Sequence, residues 1–93
     1  MSSDGSAPGG GQIEYPLRYP LKVIGLAADD FAAHVRGLVE RATGAAIEEP
    51  LETRTSGGGR YLSVTVVVTL GSEAQRLAVH AALAADPRVV YAL

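Results

Sequence analysis

The sequence contains no cysteine and no asparagine among its 93 residues. The absence of cysteine excludes disulfides, zinc–thiolate sites, iron–sulfur clusters and thiol catalysis together. Charge of either sign is scarce. Eight Lys and Arg stand against ten Asp and Glu, for a formal net charge of -2. No cluster of five or six basic residues occurs, so neither DNA nor an anionic membrane is an expected partner. No basic segment leading into an apolar run follows Met1, so no secretory signal is expected. The longest apolar-rich stretch, Leu62 to Leu70, is far too short to span a bilayer. These absences together point to the cytoplasm.

What is present suits a compact core. The chain is 47% hydrophobic and 19% charged, and its length fits one small domain. Residues 1–12, rich in Gly, Ser and Pro, cannot bury enough apolar surface to offset the entropy of ordering them. They are expected to form a disordered, dispensable tail ahead of a single domain over residues 13–93. The Tyr15-Pro16 pair marks an extended or turning entry. Tyr19 to Leu26 reads as a strand closed by Gly25, with Leu21 and Val23 on one face and Lys22 and Ile24 on the other. Asp29-Asp30 is a candidate helix cap. Phe31, Val35, Leu38, Val39 and Ala42 then recur at helical spacing up to Gly44, a C-terminal stop. Arg36 and Glu40, four apart, are placed to pair on the wet side.

Ile47 to Ser56 is polar and contains Pro50, which suits an edge strand. Gly57-Gly58-Gly59 offers a permissive hairpin. Arg60 to Leu70 is the clearest strand: Leu62, Val64, Val66, Val68 and Leu70 alternate with Tyr61, Ser63, Thr65, Val67 and Thr69. Ser72, with Gln75 at the capping-box position, opens a second helix whose inner face is Val79 and Leu83, with His80 beside them. Asp86-Pro87 ends it. Val89 to Leu93 closes the chain as a strand with Val89, Tyr91 and Leu93 inward. The order strand, helix, strand, strand, helix, strand, with right-handed crossovers, predicts an α+β ferredoxin-like split βαββαβ sandwich. Its antiparallel four-stranded sheet carries both helices on one face.

The residues from Tyr15 to Leu93 resemble the YbeD-like family of small uncharacterised bacterial proteins. The likeness lies in Tyr15-Pro16, in Tyr19 followed by Leu21-Lys22-Val23-Ile24-Gly25, and in Ser56, Gly59, Tyr61 and Ser63-Val64-Thr65-Val66. Gln75, Leu83 and the Val89 to Leu93 ending complete it. The glycine-tripled hairpin, the glycine-rich tail and the short alanine-rich second helix depart from the family pattern. The resemblance implies an ACT-like (ferredoxin-like) domain of regulatory or dimerising character, some of whose relatives are encoded near lipoate-synthesis genes. It implies no established chemistry, catalytic residue or cofactor.

The residues themselves thin the functions this fold can host. A metal chaperone of this shape needs a cysteine pair, and an acylphosphatase needs an anion cradle with Arg and Asn where this chain has Leu26-Ala27-Ala28. The Gly57 to Gly59 run lacks the Lys-Ser/Thr and following helix of a phosphate loop. Single-stranded RNA recognition needs exposed aromatics on both central strands, and only Tyr61 offers itself. His34 and His80, the sole imidazoles, have no carboxylate partner identifiable by spacing. No catalytic residue, metal site or cofactor is therefore assigned. The expected role is a non-catalytic regulatory or adaptor module acting through protein contact or self-association, with a small effector beside that contact. Its expected surface is the open sheet face with the first loop and the hairpin: Ile24, Gly25, Arg60, Tyr61, Ser63, Thr65 and Val67. Ile24 and Val67 are expected to form one apolar patch. The competing reading is a minor enzyme using His34, His80, Arg54 or Arg60, which requires an imidazole within hydrogen-bond reach of a nucleophile or carboxylate. Behind it stands single-stranded RNA binding through the open sheet face, which requires salt-dependent affinity.

Overall fold

The structure is a computed structural model and describes residues 14–93; the tail at 1–12, with its expected dispensability, lies outside the described residues. Six elements follow one another: β1 (Leu17–Leu26), α1 (Phe31–Thr43), β2 (Glu52–Thr55), β3 (Tyr61–Leu70), α2 (Glu73–Ala85) and β4 (Val89–Ala92). The sheet order is β2-β3-β1-β4, every neighbouring pair antiparallel. This is the ferredoxin-like α+β arrangement, with the two long apolar strands at the centre.

Period-two alternation places Leu21 and Val23 of β1 and Val64, Val66, Val68 and Leu70 of β3 on the inner face. Phe31, Val35 and Val39 of α1 and Val79 and Leu83 of α2 pack onto them, and Ile47 joins from the loop before β2. Gly44 stops α1 in the left-handed conformation (φ 73°), where a side chain would be strained. The side-chain oxygen of Ser72 accepts from the Gln75 amide. Gln75 carries this cap further: its Oε1 accepts from Gly71 N–H at 2.6 Å, and its Nε2 donates to the Thr43 carbonyl at 3.2 Å. One side chain therefore joins the start of α2 to the end of α1.

Pro20 sits inside a central strand, where a missing donor would ordinarily cost a ladder bond. Lys22 exchanges both backbone hydrogen bonds with Leu93. Even-numbered residues of β1 therefore turn their backbone groups toward the β4 side. Pro20 falls two residues beyond that pair, where β4 makes no pairing with it, so its lack of an N–H leaves the β1–β3 ladder intact.

Several expectations need correction. The first strand begins at Leu17, and the edge strand shrinks to Glu52–Thr55 because Ile47 is drawn into the core instead. Asp30 stands at the N-cap without a side-chain capping bond; Arg88 holds its carboxylate, with Nη2 to Oδ1 at 2.8 Å and Nη1 to Oδ2 at 3.2 Å. That pairing keeps the Asp30 carboxyl below its ordinary value, first through the Arg88 hydrogen bonds and then through its charge. Arg36 and Glu40 do not pair, because Glu40 Oε2 accepts from the Ile47 amide at 2.8 Å.

The largest correction concerns β4. Gly25 pairs with Val89 while the adjacent Ile24 pairs with Tyr91, so Val90 is an extra residue. A bulge of this kind shifts the side-chain phase of a strand. Val89 and Ala92, three apart, both pack against the core, whereas Tyr91 and Leu93 are 53% and 54% exposed. Tyr91 and Leu93 are therefore not inward, and Ala92 is not outward.

Candidate interaction surface

The open face is built by the residues that alternation leaves on the far side from the helices. Across the sheet they form rows set by register. Arg54, Ser63, Ile24 and Tyr91 make one row, and Glu52, Thr65, Lys22 and Leu93 the next. Leu26 lies opposite Tyr61 at one end; Pro20 lies opposite Val67 toward the other. Ile24 faces Ser63, four residues from Val67, so the two are about 13 Å apart along the strands. The Lys22–Thr65 row lies between them. Ile24 and Val67 thus belong to two separate apolar islands and do not form one patch. The larger island is Ile24, Leu26, Tyr61, Tyr91 and Leu93.

Among the expected surface residues, Ser63 and Thr65 line a shallow concavity with Lys22, Glu52, Thr53 and Arg54. Arg60 is exposed at the hairpin end, and its carbonyl accepts from Ala27 N–H at 2.8 Å. Gly25 is elsewhere. It is buried beneath Phe31, and a Cβ there would overlap the Phe31 ring and lie 2.5 Å from the Arg88 carbonyl oxygen. Its role is close approach of backbone to ring and strand, not display on the open face. The hairpin is more ordered in its bonding than three glycines suggest. Ser56 N–H donates to the Tyr61 carbonyl at 2.8 Å, the Ser56 Oγ accepts from Tyr61 N–H at 3.1 Å, and Gly59 takes the positive φ of 73°.

The two sheet edges differ. All four residues of β2 are exposed, Glu52 and Arg54 among them, and Glu48, Glu49 and Pro50 precede them. Glu49 is held by Arg18 at 2.7 Å. Charges and proline of this sort discourage a further strand from adding. On β4, Val90, Tyr91 and Leu93 are each more than half exposed, and no residue from Val89 to Leu93 is charged or proline. Beside this edge runs an open groove lined by His80, Leu83, Ala84 and Val89 to Ala92. Leu77, 54% exposed, lies on α2 one helical turn before Ala81 and close to His80.

The histidines are not isolated. His34 Nε2–H donates to Asp86 Oδ2 at 2.8 Å, with the imidazole 26% and the carboxylate 10% exposed. Asp86 Oδ1 accepts from the Arg88 amide at 2.8 Å. Burial raises the Asp86 pKa, but the Arg88 amide and the His34 hydrogen bond outweigh it, and the net shift is downward. His34 also stacks on Phe31, and the Arg88 guanidinium lies over the same ring. Both oxygens of Asp86 and one nitrogen of His34 are thus committed to tying the start of α1 to the α2–β4 turn. His80 shares a 3.3 Å hydrogen bond with the Tyr19 hydroxyl. At the start of α2, Glu73 is held at about 2 by Arg76 first and by the Tyr15 hydroxyl second, and Tyr15 itself is raised by that bond. Among the described residues no group of three His, Cys, Asp or Glu side chains is arranged to hold a metal ion, and no helix is long and apolar enough to cross a membrane.

Residues 11–93 match the family described as "Protein of unknown function (DUF493)". The chain belongs to that family. It is 42% identical over 77 residues to the UPF0250 protein RSc0326 of Ralstonia nicotianae, covering 83% of this chain and 79% of that one. It is 40% identical over 79 residues to a UPF0250 protein of Azotobacter vinelandii, covering 84% and 86%. The same identity and length relate it to the UPF0250 protein PA3998 of Pseudomonas aeruginosa, covering 84% and 85%. These relatives support the YbeD-like likeness read from the residues, and their names state no activity. The solution structure of protein HP0495 from H. pylori superposes with a TM-score of 0.71 at 24% identity, covering all of this chain and 94% of that one. That similarity shows the fold.

Proposed function

We propose that the protein is a small non-catalytic regulatory or adaptor module that works by protein contact through the β4 side of its sheet. The observation that carries this reading is the contrast between edges: one is lined with charge and proline, the other is uncharged and exposes Val90, Tyr91 and Leu93. A small monomer gains nothing from leaving such an edge bare, since an open strand is a template for pairing. The Ile24–Tyr91–Leu93 island on the open face is continuous with that edge. The groove between α2 and β4 is the place for a small effector beside the contact.

The minor-enzyme reading gains one specific observation, the His34–Asp86 bond. The geometry explains that bond as a structural tie, because Asp86 is engaged on both oxygens and His34 is packed against Phe31. RNA recognition gains Tyr91 as a second outward aromatic, but on an edge strand and not on the second central one.

The test compares wild type with Tyr91→Lys/Leu93→Lys. Tagged protein is isolated from its own cell extract, and bound proteins and small molecules are identified together by mass spectrometry. A partner retained by wild type and lost by the double variant, with circular dichroism unchanged, supports the proposal. Identical recoveries from both would remove it.

A further inference from the structure

We infer that the contact surface takes an acidic amphipathic helix of another protein, laid over the open face of the sheet. This rests on the reading of the β4 side as a contact surface and adds the chemistry of the partner.

Charge supplies the first argument, and it selects the partner. The chain as a whole carries a net charge of -2, yet its open face has the opposite balance. Lys22 and Arg54 stand there in adjacent rows, Arg60 is exposed at the hairpin end, and Glu52 is the one acidic residue in those rows. Arg18, Arg76 and Arg88 are each held by a carboxylate at 2.6–2.8 Å. Among the described residues Lys22, Arg54 and Arg60 have no such partner; Arg36 and Arg41 also lack one, but they lie on α1 behind the sheet. Unpaired cations of this kind attract carboxylates and repel a basic partner. Lys22 and Arg54 also line one shallow concavity with the hydroxyl-bearing Ser63 and Thr65, which makes a seat for a carboxylate. Glu52 shares that concavity and opposes such a guest.

Position supplies the second. Ile24 sits in the Arg54 row and Leu93 in the Lys22 row, so both cations border the apolar island. Arg60 adjoins Tyr61 at the island's far end. A partner that covers the island with apolar side chains therefore brings its flanks over the cations. An apolar stripe bordered by charge is the pattern of an amphipathic helix.

Backbone chemistry supplies the third. Strand N–H and C=O groups point along the sheet toward neighbouring strands, so a segment lying over the face meets side chains only. Its own backbone must be bonded internally, as a helix is. A strand added beyond β4 would instead stand four strands from Arg54, about 19 Å away, and would leave that cation unused. A helix of about 18 residues is about 27 Å long, close to the roughly 33 Å of each central strand.

The probes are two synthetic peptides of about 18 residues, long enough to hold a helix in water, each with leucine along one stripe. One carries glutamate on its flanks and the other lysine. Each is titrated into the full-length protein, and the backbone amide shifts are followed by NMR. The glutamate peptide is expected to shift the amides around Ile24 and Ser63 and to bind at least about tenfold more tightly than the lysine peptide. That margin should narrow as salt screens it. Lys22→Glu/Arg54→Glu is expected to reverse the preference. Glu52→Gln is expected to raise the affinity for the glutamate peptide about twofold to fivefold, a gain that a damaged fold would not produce. Circular dichroism shows whether the reversed variant folds; if it does not, Glu52→Gln decides. Equal affinities for the two peptides, or no shift with either at about 1 mM, overturn the inference, as does a preference that neither variant alters. If the glutamate peptide fails while Tyr91→Lys/Leu93→Lys still loses a partner captured by wild type, the acidic helix falls and the contact-module reading stands. If neither a peptide nor a captured partner binds, both fall.

Discussion

The two ends of the sheet are built from strands of the same length, yet they meet solvent in opposite ways. β2 and β4 each have four residues. β2 is Glu-Thr-Arg-Thr, fully exposed, with an ion pair from Arg18 to Glu49 on its approach. β4 is Val-Val-Tyr-Ala, half anchored and half bare, and its approach is pinned by Asp86, Arg88, His34 and Asp30. The first edge pairs with β3 along all four residues and is guarded by its side chains. The second is firmly held and unguarded. The backbone of β4 is fixed by an elaborate turn while its outer side stays apolar, and that separation of anchoring from protection distinguishes them.

The most drastic way to break the comparison is to destroy the core on which both edges hang. Val66 is fully buried on the inner face, and Thr65 alternates to the outer. Val66→Asp is expected to prevent folding. An unpaired buried charge costs roughly 3–5 kcal/mol or more, a large share of the stability of a small domain. Thr65→Asp, one residue away on the half-buried outer face and opposite Glu52, is expected to cost far less, about 1 kcal/mol. Chemical denaturation of both decides; equal losses would refute the assigned parity.

A more selective break falls on the seat of β4. Gly25→Val would press a side chain into the Phe31 ring and the Arg88 carbonyl. Overpacking of this kind costs about 1–3 kcal/mol. The loss should be concentrated in the exchange rates of β4 and the start of α1. Gly57→Ala on the β2 hairpin, where nothing lies within 4 Å of a new Cβ, is expected to leave the melting temperature unchanged. Similar losses at both glycines would erase the distinction between the packed seat of β4 and the open β2 hairpin.

Gly25 also shows where the sequence could be read and where it could not. The long runs Leu21–Val23 and Val64–Leu70 carry one period each, and alternation alone assigns their faces correctly. Ile47 to Ser56 shows its edge position through Pro50 and its charges. Gly25 reads naturally as the end of a strand, but a lone glycine within a strand pattern also signals a bulge or a close approach, and here it is both. With the bulge unread, the phase of β4 inverts and Tyr91 and Leu93 vanish from the surface. His34 and Asp86 are 52 residues apart, and no spacing rule connects them. Only the antiparallel placement of the helices brings the start of one beside the end of the other. Ile24 and Val67 share a face by parity, but their separation is a matter of register, which alternation does not encode.

Acid sharpens the comparison next. The folded-state pKa of Asp86 is lowered, because the Arg88 amide and His34 outweigh burial. A lowered carboxyl contributes stability that is fully present above its unfolded value of about 4 and is lost as pH falls through the folded value. The β4 anchor should therefore weaken below about pH 4. Asp86→Asn is expected to melt at a lower temperature than wild type at pH 7 and to lose less between about pH 4 and pH 2. Asp30 and Glu73 are lowered too, so the acid slope is reduced in the variant and not abolished. Parallel pH profiles of melting temperature would show that ionisation of Asp86 contributes nothing to the acid loss.

The smallest effect is expected at the guarded edge. Arg18 reaches Glu49 through three hydrogen bonds, two to Oε2 and one to Oε1, and the geometry alone suggests a strong tie. Exposure argues the other way: the two side chains are 66% and 47% exposed. Water screens such a pair, and ordering two long side chains offsets much of the attraction, leaving roughly 0.2–1 kcal/mol. Arg18→Ala is therefore expected to shift the denaturation midpoint by no more than this, and the shift should shrink as salt screens the pair. The double-mutant cycle with Glu49→Ala isolates the coupling from the lost packing of the arginine stem. A coupling well above about 1 kcal/mol that resists salt would mean that the β2 approach is pinned as firmly as the β4 turn, and the two edges would then differ only in charge.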